Sequence, residues 1–422
     1  MMKSFFGCFL FIVLLTFPTF ALSQMKIKVD VEEQNDSIFY LIKYKSDKTH
    51  IVIDTTYNNI FSNSENIPEG IYVIADSEQY PIFEILIGKD QKFSIKVNDL
   101  MDLKSYKVKG SKETSSYFKV YSQTVHNNLY IKALKSEIEY NPNNMEKIDS
   151  LEKSLYDYQE SMLSKDNNSF LNTYIKSIEK VIVPQDVEFI EKYIIEHYFD
   201  NIPLCDVRIL NSRLLKNKLD DFFNNYMKLQ SPLYISEQID NLISKVNDCH
   251  EVRDYILWYL YSKYFKTDNV DDEFVFIHLV DNYFSKLEIS NLTQNIRDEI
   301  VKRTNILKNI TIGHTAPTLL FFDDEGNEVN LYDIQSNYIV LFFYKPECQR
   351  CIRDKRILGL VEKRRKDLKV IRIDISDEEK YQEIIETYDL STTPEIFILD
   401  KDKKIIDKDV SAERIEFYIT EK

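Results

Sequence analysis

Two cysteines separated by two residues, Cys348 and Cys351, are the side chains of this sequence best suited to covalent chemistry. Thiols at this spacing lie about one helical turn apart, so they can form and break a disulfide with each other. At a helix start, the first cysteine lies beside unpaired backbone N–H groups and the positive end of the helix dipole, which favour a thiolate. We therefore expect Cys348 to attack a disulfide and Cys351 to resolve the mixed disulfide.

The residues on either side of the pair predict the elements that position it. The apolar run 338–344 predicts a buried strand, and residues 353–366 predict the continuation of a helix. Pro394 follows far enough along the chain for a later strand to bring it against the two cysteines. The predicted order is strand, cysteine pair, helix.

The spacing of the cysteines also fits a zinc site or a purely structural disulfide. Zinc normally takes four ligands, but residues 305–422 contain a single histidine, His314, and no third cysteine. A structural disulfide closing so short a loop would constrain the unfolded chain little. Redox exchange is the favoured interpretation, and we expect no metal or other cofactor.

Several short segments of the C-terminal part carry a family resemblance. They are residues 312–317, 319–322, 326–329, 338–351, 369–374 and 388–400. With these segments the region 312–422 resembles the thioredoxin-like superfamily, and within it the extracytoplasmic TlpA/ResA-type thiol-disulfide oxidoreductases. The resemblance implies a mixed sheet with flanking helices and an active site at Cys348 and Cys351. It also implies a cis peptide bond between Thr393 and Pro394, beside which the main chain of a substrate can pair.

The sequence departs from the family pattern at two positions. Many thioredoxins carry a buried aspartate six residues before the first cysteine, where this chain has Phe342, and a tryptophan just before the motif, where it has Glu347. ResA-type proteins often have a carboxylate three residues after the second cysteine, and Asp354 occupies that position. We expect Asp354 to accept the proton of Cys351; the alternative is a solvated acid in the first turn of the helix.

Three functional classes follow from these residues. The first is a thiol-disulfide oxidoreductase acting on cysteine-containing proteins, with a membrane thiol carrier as the electron donor that the resemblance implies. The second is a binding or assembly protein of the cell envelope with a redox-silent thioredoxin-like domain. A thiol peroxidase is disfavoured, because such enzymes have Thr or Ser three residues before the reactive cysteine, where this chain has Lys345.

The N-terminal residues 1–23 resemble an export signal. Lys3 precedes an apolar run, and the small residues Ala21 and Ser23 suggest cleavage after position 23. Because the apolar run is long, an uncleaved membrane anchor is the alternative. In both cases we expect the rest of the chain to lie in the periplasm or cell envelope.

Composition limits the partners of the chain. The 422 residues carry a formal net charge of −15, which argues against binding nucleic acid, since that requires basic surface. Only seven glycines are present, without a glycine-rich loop to cradle phosphate, so nucleotide binding has no support. The oligomeric state cannot be read from the sequence.

Hydrophobic periodicity divides the rest of the chain into two further domains. Alternating apolar residues predict an antiparallel β domain over 24–110, which resembles the β-rich domain preceding thioredoxin-like domains in many Bacteroidetes proteins. Helical periodicity predicts an all-α domain over 111–310, followed by the α/β thioredoxin-like domain over 311–422. Cys205 and Cys249 lie in the helical stretch, either as a disulfide or as buried thiols.

Overall fold

A computed structural model describes residues 24–32, 38–44, 49–138, 140–265, 270–322 and 327–420. The chain forms two compact units, which divide between Asp221 and Phe222. Within the ranges given, no helix combines the length and the apolar character needed to span a membrane. The predicted export signal, residues 1–23, lies outside the described residues.

The first unit begins with eight strands in two four-stranded sheets. They are β1 (Met25–Val31), β2 (Tyr40–Tyr44), β3 (His50–Thr55), β4 (Ile60–Asn63), β5 (Gly70–Ala75), β6 (Pro81–Ile87), β7 (Lys92–Val97) and β8 (Lys107–Lys109). The strand orders are β4-β1-β7-β8 and β3-β2-β5-β6. Strands β1 and β7 run parallel, whereas the other pairs in these two sheets are antiparallel. The predicted β domain is confirmed.

Helices complete the first unit. They are α1 (Lys112–Ser136), α2 (Asn144–Ser161), α3 (Phe170–Ile178), α4 (Ile190–His197) and α5 (Leu214–Asp221). Ser111 is the N-cap of helix α1, and its hydroxyl accepts a hydrogen bond from the Thr114 amide at 3.2 Å. The residue before it, Gly110, has a φ of 102°, and a Cβ there would lie 2.7 Å from the Lys92 carbonyl oxygen. Tyr117 of α1 packs into the same apolar core as the strands.

The second unit starts with a helical part. A π-helical turn, Phe222–Tyr226, precedes α6 (Pro232–Lys245), α7 (His250–Tyr264), α8 (Val270–Leu279) and α9 (Gln294–Asn309). Trp258 of α7, the only tryptophan of the sequence, donates its indole N–H to the Ser290 carbonyl at 2.9 Å. Its ring lies edge-on to Phe284, with 5.4 Å between centroids. Trp258 thus packs within the helical part of the second unit.

The α/β domain follows in the same unit. Its elements are β9 (Leu320–Phe322), β10 (Glu328–Asn330), β11 (Tyr338–Tyr344), α10 (Gln349–Arg364), β12 (Leu368–Asp374), α11 (Gln382–Thr387), β13 (Glu395–Asp400), β14 (Ile405–Lys408) and α12 (Ile415–Thr420). The main sheet has the order β12-β11-β13-β14. β11 is parallel to β12 and antiparallel to β13, so the sheet is mixed. The predicted fold class, β then α then α/β, is confirmed.

The three predicted domains and the two observed units are not the same division. Helices α1–α5 lie in the first unit, together with strands β1–β8. Helices α6–α9 lie in the second unit, together with the α/β domain. The boundaries near residues 110 and 310 stay predictions.

Candidate redox site at the start of helix α10

Strand β11 determines where Cys348 lies. Its inner residues, from Ile339 to Phe343, are buried because both neighbouring strands and the flanking helices cover them. The strand ends at Tyr344, and a short turn closes with the Cys348 amide donating to the Lys345 carbonyl at 3.2 Å. Cys348 is then the N-cap of α10. The predicted order of strand, cysteine pair and helix is therefore present.

The two cysteine sulfurs are joined in a disulfide, with 5.1 Å between the Cα atoms. Cys351 is 1% exposed and belongs to the apolar core of the domain, whereas Cys348 is only half-buried. The Cys351 amide donates to Cys348 Sγ at 3.2 Å. Once the bond is reduced, this amide and the helix dipole would stabilise negative charge on Cys348. An incoming disulfide can reach Cys348 more readily than Cys351.

Thr393 and Pro394 lie beside the more exposed sulfur. The peptide bond between them is cis, and Pro394 is buried. The Thr393 carbonyl oxygen is 3.5 Å from Cys348 Sγ, although 45 residues separate the two in the chain. The segment before β13 thus presents backbone next to the disulfide, where an extended polypeptide could pair with it.

Asp354 lies one turn after Cys351 on α10. Its carboxylate is 2% exposed, and Arg353 Nε donates to Oδ1 at 3.0 Å. Arg350 Nε lies 4.0 Å from Oδ2. Both arginines are more than half exposed, so they cover the carboxylate from the solvent side. Asp354 is therefore a buried acid below two guanidinium groups, in contrast to the solvated alternative considered from the sequence.

Aromatic residues occupy the strand beneath the site. Phe342, which stands where many thioredoxins have an aspartate, is fully buried and stacks on Tyr344 with 5.3 Å between centroids. Lys355 Nζ lies 4.5 Å from the Tyr344 ring centre. A buried carboxylate is therefore supplied by the helix face, at Asp354, and not by the strand.

A groove adjoins Thr393 that sequence reasoning missed. It has a volume of about 710 Å³ and runs between Lys345 and the segment Ser391–Thr393. Three carboxylates line it, Glu378, Glu379 and Glu386. Its walls come from α11 and from the loops on both sides of that helix. Because these segments are separate in the sequence, no local motif predicts the groove.

Comparison with known proteins finds matches to the C-terminal part of the chain. Residues 312–408 match the model of the AhpC/TSA family. The thiol-disulfide oxidoreductase ResA of Bacillus cereus is 24% identical over 26% of this chain and 79% of its own length. ResA of Bacillus anthracis is 23% identical over the same shares. The C-terminal part of this chain is a thioredoxin-like domain, similar to that of these thiol-disulfide oxidoreductases.

Solved structures similar to the chain include proteins from Bacteroides. A thioredoxin-like protein from Bacteroides caccae is 20% identical, covers 58% of this chain and 98% of its own, and has a TM-score of 0.48. The thioredoxin domain of a thiol-disulfide oxidoreductase from Bacteroides vulgatus is 18% identical, covers 26% and 96%, and has a TM-score of 0.24. Cys348 and Cys351 lie within residues 312–408, the part of the chain that the family model matches.

Proposed function

We propose that this protein is an exported oxidoreductase that uses the Cys348/Cys351 dithiol to reduce or exchange disulfides in other proteins. The observation that carries the proposal is the placement of Cys348. Its sulfur lies at a helix N-terminus, half-exposed, 3.5 Å from the Thr393 carbonyl, while its partner Cys351 is buried. A nucleophile, a resolving thiol and a backbone acceptor for substrate therefore meet at one place.

The proposed reaction is a two-electron thiol-disulfide exchange. The Cys348 thiolate attacks one sulfur of the substrate disulfide, whose S–S bond breaks, and the leaving thiolate takes up a proton. Cys351 then loses its proton, with Asp354 as the acceptor, and attacks Cys348. The enzyme disulfide forms, the second substrate thiol is released, and the substrate has gained two electrons and two protons. A membrane thiol carrier would restore the dithiol.

Export is the second part of the proposal. It rests on the leader-like residues 1–23 and on the oxidising compartments in which protein disulfides persist. Expression of the full chain in a bacterial host tests it, followed by cell fractionation and N-terminal sequencing. A chain beginning at Gln24 in the periplasm supports export with cleavage. An intact leader in the membrane fraction supports the anchor, and an intact leader in the cytoplasm contradicts export.

Reduction of insulin disulfides by dithiothreitol tests the chemistry directly. The wild-type chain should accelerate the reduction, and Cys348→Ser should abolish the acceleration while circular dichroism shows an unchanged fold. Failure of the wild type at every donor concentration would favour the alternative, a redox-silent binding or assembly protein of the cell envelope.

The match to the AhpC/TSA family makes peroxide reduction the other activity to measure. The residue three before Cys348 is Lys345, so the hydroxyl that orients peroxide in such enzymes is missing. Lys345 pairs instead with Glu378. Rapid peroxide consumption by the reduced protein, lost in Cys348→Ser, would replace the proposed exchange by a peroxidase function.

A further inference from the structure

Helix α9 of the helical part contacts the thioredoxin-like domain close to the redox site. Arg303 Nη2 lies 2.9 Å from Asp389 Oδ2, and its Nε lies 3.1 Å from the same oxygen and 3.2 Å from Oδ1. Both side chains are 22% exposed. This is the forked pairing of guanidinium and carboxylate that fixes orientation as well as distance.

The guanidinium of Arg303 is itself held in place by the helical part. It lies 4.4 Å from the ring centre of Phe265 and 5.5 Å from that of Phe276. Its Nη1 also donates to the Phe265 carbonyl. Stacking on two rings and a further hydrogen bond restrict the rotamers of Arg303, so it presents a rigid fork to Asp389.

Asp389 occupies the turn that leads from α11 to the cis proline. Its φ is 50°, and its carbonyl accepts the Ser391 amide at 2.9 Å. Thr393, whose carbonyl faces Cys348, follows two residues after Ser391. A second ion pair, Lys302 to Glu386 at 2.9 Å, joins α9 to α11 in the wall of the groove. The orientation of this turn thus depends on contacts from α9.

We propose that Arg303 is a positioning residue for the protein substrate. By fixing Asp389, it holds segment 390–393 at the distance from Cys348 at which an extended polypeptide can pair with Thr393 and occupy the groove. The inference rests on the proposed oxidoreductase function and deepens it. It assigns part of substrate recognition to a helical region that lies outside the thioredoxin-like domain.

The test compares insulin, a polypeptide substrate that would bind along segment 390–393, with a small disulfide that does not need this segment. Arg303→Gln should raise the KM for insulin about tenfold and leave kcat within about twofold. The reason is that the ion pair of Arg303 and Asp389 positions the segment that binds the polypeptide and does not contact the sulfurs. The rate with a small aromatic disulfide and the reduction potential of the cysteine pair should both stay at wild-type values. A merely structural role would not separate KM from kcat in this way.

Arg297→Gln is the matched control. Arg297 lies on the same helix and donates to the carbonyls of Phe284 and Leu287, which belong to the helical part. Its loss should lower stability without changing the KM for insulin. Asp389→Asn provides a second route if Arg303→Gln does not fold, since Asn tolerates a positive φ, and the double variant should be no worse than either single one.

The outcomes separate the two proposals. A wild-type chain that does not reduce insulin overturns the oxidoreductase function, and this inference with it. An active wild type whose KM is unchanged in Arg303→Gln and Asp389→Asn overturns the role of Arg303 alone. An equal rise of KM in Arg297→Gln would also overturn it, because the effect would then come from general loosening of the helices.

Discussion

Lys408 of β14 and Glu273 of α8 form a nearly buried ion pair, with 2.5 Å between Nζ and Oε2. The side chains are 2% and 14% exposed. Burial raises the pKa of Glu273, and the charge of Lys408 opposes that effect. We expect Lys408→Met to lower the free energy of unfolding by about 3–5 kcal/mol, because Glu273 loses its nearest cation. Urea denaturation monitored by circular dichroism measures the loss.

The control for this prediction is the apolar pair Lys408→Met with Glu273→Leu. Replacing both charges by side chains of similar size should recover most of the lost stability, since neither charge then needs to be desolvated. A double variant as unstable as Lys408→Met would show that packing, and not the charge, is responsible.

Cys351→Ser should trap the reaction halfway. Cys348 would still attack a substrate disulfide, but the buried resolving thiol would be missing, so the mixed disulfide should accumulate. Non-reducing electrophoresis and mass spectrometry detect the adduct, and dithiothreitol should release it. Cys348→Ser serves as the control and should give no adduct. Trapping by Cys348→Ser instead would exchange the roles of the two cysteines.

Asp354→Asn should slow insulin reduction on the order of a hundredfold, because the group proposed to accept the proton of Cys351 is removed. The variant keeps an acceptor for Arg353, so the fold should persist. The rate measured across pH is the decisive readout, since the pH dependence of resolution should change. Asp367→Asn is the control, because Asp367 is likewise paired with an arginine, Arg365. Identical rates and pH profiles for both variants would contradict the role of Asp354.

The free energy of unfolding of the first unit should fall as Glu179 loses its proton, between about pH 4.5 and about pH 7. Its side chain is 0% exposed, and burial, together with Glu160, raises its pKa from 4.5 to about 7 although Lys176 lies 3.1 Å away. Because the folded-state pKa is the higher one, the stabilisation is complete below about pH 4.5 and is lost as pH rises through about 7. The urea midpoint should therefore fall over this interval.

Glu179→Gln is expected to remove this part of the pH dependence. The neighbouring Glu160 provides the contrast, because Lys176 lowers its pKa and its contribution is lost as pH falls. Glu160→Gln should thus change the acidic side of the profile, and it should also weaken the fall towards pH 7, because Glu160 helps to raise the pKa of Glu179. A wild-type profile retained in Glu179→Gln would contradict the assignment.

A local pattern predicted the central strand of the thioredoxin-like domain. The apolar run 338–344 has the bounds of β11, because a buried strand is a continuous apolar run that ends at polar turns. Helix α10 ends at Arg364, two residues before the predicted end, because Arg365 adopts an extended backbone and pairs with Asp367. Helix ends depend on such contacts, which periodicity does not reveal.

Contacts between segments that are far apart in the sequence could not be predicted from local patterns. Strands β1 and β7 pair in parallel, yet their alternation indicates only which residues face the core. Arg303 and Asp389 are 86 residues apart and stand in segments without a motif. The burial of Asp354 was likewise undecided, because its position on α10 fits a solvated acid as well as a covered one.

The lone indole at Trp258 gives the helical part of the second unit its own optical signal. Trp258 lies on α7, and Phe265 follows the last residue of that helix. The guanidinium of Arg303 stacks on the ring of Phe265. Fluorescence excited selectively at tryptophan should therefore report the unfolding of this helical part. The aromatic signal of the rest of the chain comes from tyrosine and phenylalanine.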